Sequence, residues 1–346
     1  MTDNDIELVV SDFRNRFLID EIKKGKPVTR KSNKKWRIPG GLCCVYKFEL
    51  KNGDIKALRI WKTEISESKE RSTEIAKHLK SLNSDYFIDF EYIKEAFIFN
   101  GTYYPIVLMD WCDGVNLIKY ICDNANNPSK IEKLANSILN MISQMHKNGI
   151  SHGDLHHNNV LVKQDGSVVL IDYDTMFVPQ LIGYNDECEG YSGYQHPTAR
   201  KKNKLLSPKV DYFSELILYL SIRAIARNPS LLTNYSVEEQ EKSILFSDID
   251  FKRLKSSNIY NDIKNLGHDF QILLNILELY LSKSDINDLE PFYVIAKQMG
   301  LQIPIIESIT KRPYIHAKFC NQCGKPYYKP TSNYCSYCGN KKIKYN

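Results

Sequence analysis

Three oxygen-bearing side chains, Asp154, Asn159 and Asp172, stand at the outer ends of one hairpin signal. Two short apolar runs, residues 160–162 and 168–171, flank Asp165-Gly166, a dipeptide that favours a tight turn between two strands. Asp154 and Asn159 precede the first run, and Asp172 closes the second. A hairpin folds its outer ends together, so two carboxylates and an amide converge at one edge. Oxygen donors gathered this way suit Mg²⁺, which takes one or two carboxylates and completes its shell with substrate phosphates. A carboxylate left free of metal can accept a hydroxyl proton.

A second constellation lies near the carboxy terminus. Cys320 and Cys323 form one Cys-x₂-Cys pair, Cys335 and Cys338 another, and a glycine follows each pair. Four thiolates at this spacing close a tetrahedral Zn²⁺ site, and the glycines let backbone amides turn toward sulfur. So small a segment lacks a core of its own, so the metal is expected to supply its folding energy. Cys43, Cys44, Cys112, Cys122 and Cys188 have no ligand spacing and read as small core or loop residues.

The elements around these groups read as follows. Residues 5–24 carry Ile6, Val9, Val10, Phe13, Phe17, Leu18 and Ile22 at helical spacing, predicting one amphipathic helix ended by Gly25 and Pro27. Strands are expected at 36–38, 45–50, 55–61, 90–93 and 106–109, with Gly40-Gly41 and Asn52-Gly53 in the first two turns. A charged helix is expected over 64–82. Ser129 with Glu132 forms a capping box for a helix to Asn148, whose stripe of Ile131, Leu134, Ile138, Met141, Ile142 and Met145 is core. Ser207-Pro208 is expected to open a further helix, with Asn228-Pro229 closing it. More helices fill 230–300.

Composition is that of an ordinary globular chain, 42% apolar and 25% charged. Its longest apolar stretch, 213–226, is broken by Glu215 and Arg223 and is too short to span a bilayer, so no membrane role is expected. No export signal is evident at the amino terminus, so reduced thiols and a cytoplasmic location are expected. The net charge of +6 is uneven: residues 23–37 and 308–346 each hold eight Lys or Arg and no acid, leaving the remainder net acidic. Basic blocks mark nucleic-acid or acidic-surface contacts, or plain solvated charge.

His152-Gly153-Asp154-Leu155, Asn159 and Asp172-Tyr173-Asp174 together resemble the catalytic loop and metal-binding segment of protein kinases, here of the bacterial, kinase-like type. Gly153 stands where many kinases have an arginine (a non-RD pattern), and Asp174 stands where the glycine of Asp-Phe-Gly is usual. The resemblance implies an α+β, two-lobed protein-kinase-like fold with a β-rich first lobe and a helical second lobe. It implies Asp154 as catalytic base, and Asn159 and Asp172 as the residues that hold Mg²⁺ beside ATP. His156 falls where a lysine near the γ-phosphate is common. Gly40 and Gly41 match the phosphate-covering loop. Arg59 matches the phosphate-gripping lysine, with Glu74 as its carboxylate and Glu70 one turn earlier as runner-up. Backbone groups of Asp110 and Cys112 match the adenine-binding hinge. Asp211 resembles the buried aspartate that braces the catalytic loop, and His196-Pro197 falls at the end of the activation segment.

The implied organisation is an amphipathic helix and basic linker over 1–34 and a kinase-like domain over 35–300, divided near 110/111. A linker over 301–318 and a zinc ribbon over 319–346 follow. The implied function is transfer of the ATP γ-phosphoryl group to a hydroxyl of an unidentified protein substrate. Two other readings stand beside it. The His-Gly-Asp-Leu-His opening also resembles aminoglycoside and choline phosphotransferases, which act on small molecules. Arg59 and Asp174 also suit a pseudokinase scaffold that binds nucleotide and recruits partners. The basic, aromatic tail suggests a nucleic-acid or acidic partner.

Overall fold

The computed structural model describes residues 1–63, 68–202, 204–235 and 243–304. The four expected zinc ligands, Cys320, Cys323, Cys335 and Cys338, and the linker from 305 lie outside the described residues. The chain divides into two compact units, Met1–Asp113 and from Gly114 onward. The division falls three residues beyond the lobe boundary expected from the hinge motif.

The first unit opens with three short helices, α1 (Asp3–Ser11), α2 (Phe13–Arg16) and α3 (Asp20–Lys23). This corrects the single helix expected over 5–24. Phe17 leaves the helical path for extended backbone and bridges Phe97, while the Leu18 N–H donates to the Ala96 carbonyl at 2.8 Å. A sheet bond replaces the helical one there. The periodicity still marked the buried side chains: Ile6, Val9, Val10, Phe13, Phe17 and Ile22 share one core with Phe48, Leu58 and Phe97. Leu18, in contrast, points outward.

Six strands follow: β1 (Lys26–Pro27), β2 (Arg37–Pro39), β3 (Cys43–Glu49), β4 (Ile55–Trp61), β5 (Phe90–Phe99) and β6 (Thr102–Asp110). Helix α4 (Ser68–Leu82) interrupts them after β4. They form one antiparallel sheet in the order β1-β3-β4-β6-β5, with β2 also on β3. The last two strands run longer than their apolar stretches, because Asn100 and Gly101 make a tight left-handed turn that keeps both arms paired to their ends.

In the second unit, β7 (Val115–Asn116), β8 (Val160–Val162) and β9 (Val168–Leu170) form a small antiparallel sheet. The β8–β9 pair is the expected hairpin, with Gly166 in the left-handed conformation its turn requires. Its helices among the described residues are α5 (Leu117–Asn124), α6 (Pro128–Lys147), α7 (Ala199–Lys202), α8 (Tyr212–Arg227), α9 (Ser230–Tyr235), α10 (Asp248–Lys252), α11 (Asn258–Lys264), α12 (His268–Leu281) and α13 (Phe292–Gln298). All six residues of the α6 stripe are fully buried or nearly so. Its cap is Asn127, whose side chain accepts the Lys130 N–H, and not Ser129, because Pro128 takes the first helical position. Helix α8, in contrast, starts later than expected, at Tyr212. Pro208 lies in the preceding turn, where Ser207 Oγ accepts the Lys209 N–H at 3.2 Å.

Candidate functional site

The second unit gathers Asp154, His156, Asn159 and Asp172 around the loop between α6 and β8. Asp211, one residue before α8, sets the path of that loop. Its carboxylate accepts the His152 N–H and, at 3.0 Å, the Gly153 N–H. These donors face a fully buried acid. Burial pushes the Asp211 carboxyl up to about 7, reinforced by Glu215 one helical turn on and opposed by Arg200 and the two amides. Gly153 has φ +83°, and an added Cβ would lie 2.1 Å from the Thr175 carbonyl oxygen. Glycine is therefore obligatory where the resemblance leads one to expect arginine.

His152 ties the loop to the end of β9. The Asp154 N–H donates to its Nδ1 at 3.3 Å, so the proton sits on Nε2, which donates to the Ile171 carbonyl at 2.8 Å. Burial holds this imidazole below its ordinary pKa, so it stays neutral. The Ile171 N–H in turn donates to the Asn159 carbonyl at 3.0 Å. These two bonds bring Asp172 beside Asn159. Asp172 itself adopts φ +67°, a left-handed conformation that aspartate tolerates better than most residues. Its backbone thus turns away from the strand, and the residue is exposed.

Asn159 comes from a short 3₁₀ turn, His157–Asn159. Its Nδ2 donates to the Asp154 carbonyl at 2.9 Å, which leaves the amide oxygen as a hard donor. One amide oxygen and one exposed carboxylate suit the octahedral, oxygen-rich shell of Mg²⁺.

The Asp154 carboxylate is held from two sides. Tyr191 N–H donates to Oδ1 at 2.9 Å, and His156 Nε2 lies 3.4 Å from Oδ2. His156 Nδ1 accepts the Asn158 N–H at 3.2 Å, so Nε2 carries the proton toward Asp154. Burial works to raise the Asp154 carboxyl, but His156, His152 and the Tyr191 amide outweigh it and hold the group below its usual value. The carboxylate is ionised at neutral pH and can receive a proton.

Residues 173–200, downstream of β9, contain contacts that no motif announced. His157 Nδ1 receives the Tyr194 hydroxyl at 2.8 Å, and that hydroxyl accepts the Ile244 N–H at 3.2 Å. His196 accepts the Ala199 N–H at 2.9 Å and faces the Tyr280 carbonyl at 3.0 Å, so it anchors the segment's end. Arg200 makes a two-pronged, buried ion pair with Asp186 at 3.0 and 3.1 Å and also donates to Gln195. The tyrosine-rich composition of this stretch was visible in the sequence. Its pairings were not, because irregular backbone has no period to read.

In the first unit, Gly40 and Gly41 occupy the turn between β2 and β3, whose ends pair Pro39 with Cys44. The Gly40 N–H donates to the Cys43 carbonyl at 2.9 Å. Arg59 lies mid-strand in β4, opposite Val45 and Val107, and is 7% exposed. Its Nε donates to Cys43 Sγ at 3.2 Å. Glu74 lies half-buried on α4, whereas Glu70 is exposed. Asp110 closes β6, its carboxylate meets Lys56 Nζ, and its N–H donates to the Asp89 carbonyl at 3.0 Å, so the carbonyl is its remaining backbone group. Cys112 is half-buried just beyond the strand. No helix among the described residues is long and apolar enough to cross a membrane.

Comparison with known proteins places this geometry. Residues 39–275 match the family described as protein kinase domain. A bifunctional serine/threonine-protein kinase/NEDD4-like E3 ubiquitin-protein ligase of Dictyostelium discoideum is 39% identical over 67 residues, 19% of this chain and 4% of that protein. The human hormonally up-regulated neu tumor-associated kinase is 29% identical over 121 residues, 33% of this chain and 16% of its own length. Protein kinase PINOID 2 of Arabidopsis thaliana is 30% identical over 103 residues, 27% of this chain and 19% of its own. The chain spans less than a fifth of each of these relatives. The family match covers well over half of this chain and contains the Asp211-braced loop with Asp154, Asn159 and Asp172, so the chain belongs to the protein kinase domain family.

Proposed function

We propose that this protein transfers the γ-phosphoryl group of ATP to a hydroxyl of a protein substrate. The observation that carries the reading is Asp154, an ionised, doubly held carboxylate in a loop braced on Asp211 and adjoining Asn159 and Asp172. In the transfer, the acceptor oxygen bonds to the γ-phosphorus and the bond from that phosphorus to the bridging oxygen breaks, so ADP leaves. The hydroxyl proton passes to Asp154. Asn159 and Asp172 would hold Mg²⁺, which would supply neutralisation of phosphate charge. Arg59 supplies a permanent cation for the phosphates, and a guanidinium binds such oxygens in a planar fork. Gly40 and Gly41 let backbone amides approach phosphate, and the backbone at Asp110 and Cys112 receives the adenine. His156 presents its Nε2–H toward the Asp154 carboxylate.

The test is transfer from γ-labelled ATP with Mg²⁺, run beside Asp154→Asn. Removing a general base costs about 10²–10⁴-fold in rate. Label on a protein acceptor, lost in the variant, supports the reading. Transfer only to small amino alcohols would favour the aminoglycoside and choline phosphotransferase reading. Nucleotide binding with no transfer in either form would favour a pseudokinase scaffold, the reading that Arg59 at the lysine position suggests.

We also propose that 319–346 is a zinc ribbon held by Cys320, Cys323, Cys335 and Cys338, joined to the kinase-like region by 301–318, and that its basic residues recruit a nucleic-acid or acidic partner. Four cysteines at this spacing support it. Metal analysis is expected to find about one zinc per chain, lost in Cys323→Ser. A metal-free preparation with unchanged folding of this segment would remove the idea.

A further inference from the structure

The candidate base is held by a part of the chain that carries no motif. Tyr191 acts on both carboxylate oxygens of Asp154. Its backbone N–H donates to Oδ1 at 2.9 Å, while its ring lies flat on His156, 4.2 Å between centroids and 14° between planes. His156 is the group that faces Oδ2. The Tyr191 ring also makes an edge contact with His157, at 5.7 Å between centroids.

The turn that presents Tyr191 is built for that placement. Gly190 has φ +72°, and a Cβ there would lie 2.3 Å from the Gln195 side chain. Gly193 has φ +83°. Between them, Ser192 Oγ donates to Asp248 Oδ2 at 2.8 Å, and the Gly193 N–H donates to Asp248 Oδ1 at 2.8 Å. One carboxylate therefore grips the two residues that follow Tyr191. Asp248 is exposed and opens α10, but that helix is capped by Ser247 with Asp250 and does not need Asp248 for its start.

An ionised carboxylate offers about four lone-pair sites. Two are used here, one on each oxygen, and the others remain for an acceptor hydroxyl. A base fixed in this way meets the acceptor already aligned, whereas a rotating carboxylate must be ordered at each turnover. We propose that Tyr191 is the positioning residue of Asp154 and that Asp248 is the anchor of Tyr191. The orientation of the base is then set from outside its own loop. This inference rests on the reading of Asp154 as the base.

The experiment compares the full-length protein with Asp248→Ala, Asp248→Asn, Tyr191→Phe and Tyr191→Ala. Transfer from labelled ATP is measured, along with hydrogen exchange of the Tyr191 amide by NMR. Asp248→Ala is expected to lower kcat about tenfold with KM for ATP changed by less than about twofold, and to speed exchange at Tyr191 by about tenfold or more. Asparagine keeps one acceptor oxygen and recovers part of both effects. Tyr191→Phe keeps the ring and stays near wild type, while Tyr191→Ala falls about as far as Asp248→Ala. Unchanged exchange in Asp248→Ala would overturn the anchor. An unchanged or higher kcat despite faster exchange would overturn positioning, and in the second case would show that the turn shields Asp154. Should Asp154→Asn transfer as fast as wild type, the reading of the base fails instead, and the exchange rates alone then support or overturn the anchor.

Discussion

Gly153 and Gly41 are the same residue for opposite reasons. Gly153 sits in a loop where its own N–H donates to the buried Asp211, and a single methyl group would strike the Thr175 backbone. Gly41 sits in the β2–β3 turn, has no left-handed φ, and would place a Cβ in open space with nothing within 4 Å. Leu42 beside it is 59% exposed. On the proposed reading, a proton acceptor has to be held to within a fraction of an ångström, and the contacts on Asp154 would hold it so. On the proposed reading, a loop that covers phosphates has to leave room, and the open space at Gly41 would supply it. Substitutions at the two places should therefore fail in different ways.

The largest effect is expected at Gly153. Alanine there carries the cost of a left-handed backbone and a clash with the carbonyl oxygen of Thr175, a residue whose hydroxyl donates to the His152 carbonyl. Chemical denaturation should show a loss of about 4 kcal/mol or more. Gly153→Arg should be at least as damaging and should not restore an arginine-dependent, phosphorylation-gated activity. A stable Gly153→Ala protein would mean that the loop is far more yielding than its contacts indicate.

Asp211 comes next, and its effect depends on pH. Asp211→Ala leaves the buried His152 and Gly153 amides without their acceptor, a cost of about 1–3 kcal/mol for each. The Asp211 carboxyl has a folded value of about 7 against an ordinary 3.8, so the folded state binds its proton more tightly than the unfolded chain does. Its contribution is then fully present below about pH 4 and is lost as pH rises through about 7. Glu215 acts in the same direction on this group and Arg200 in the opposite one. Urea unfolding at several pH values should find wild type losing up to roughly 4 kcal/mol relative to Asp211→Asn between pH 4 and 8. Parallel curves for the two proteins would show that the carboxyl keeps an ordinary pKa.

The two regions also differ in how much the sequence disclosed. Spacing alone brought Asp154, Asn159 and Asp172 to one edge, because Asp165-Gly166 and its flanking apolar runs permit little besides a hairpin. The α6 stripe was equally legible. Its cap was misread since Asn127 and Ser129 can both cap, and only Pro128 decides between them. The first helix was misread because periodicity reports which face is buried, not where the chain leaves a helix to join a sheet edge at Phe17. The Tyr191 contact was out of reach for a simpler reason. Its donor is a backbone amide, which every residue but proline possesses, so nothing in the residue type marks it. The Asp186–Arg200 pair was hidden likewise, both residues lying in irregular chain where no repeat links them.

The smallest expected effect on stability is at Gly41, and it is the most informative about function. Alanine is sterically free there and removes some freedom from the unfolded chain, so stability should change by less than about 0.5 kcal/mol in either direction. Gly40→Ala should cost slightly more, since its Cβ would lie 3.0 Å from the Cys43 carbonyl oxygen that closes the turn. If backbone amides of this turn approach phosphate, a methyl group at Gly41 obstructs the approach while leaving the fold intact. KM for ATP should then rise several-fold at unchanged melting temperature, and valine should raise it further. The same substitution at Gly153 would instead remove folded protein and activity together. Wild-type KM in both Gly41→Ala and Gly41→Val would show that the turn keeps its glycine for no reason connected with the nucleotide. The contrast between the two glycines would then hold for structure alone.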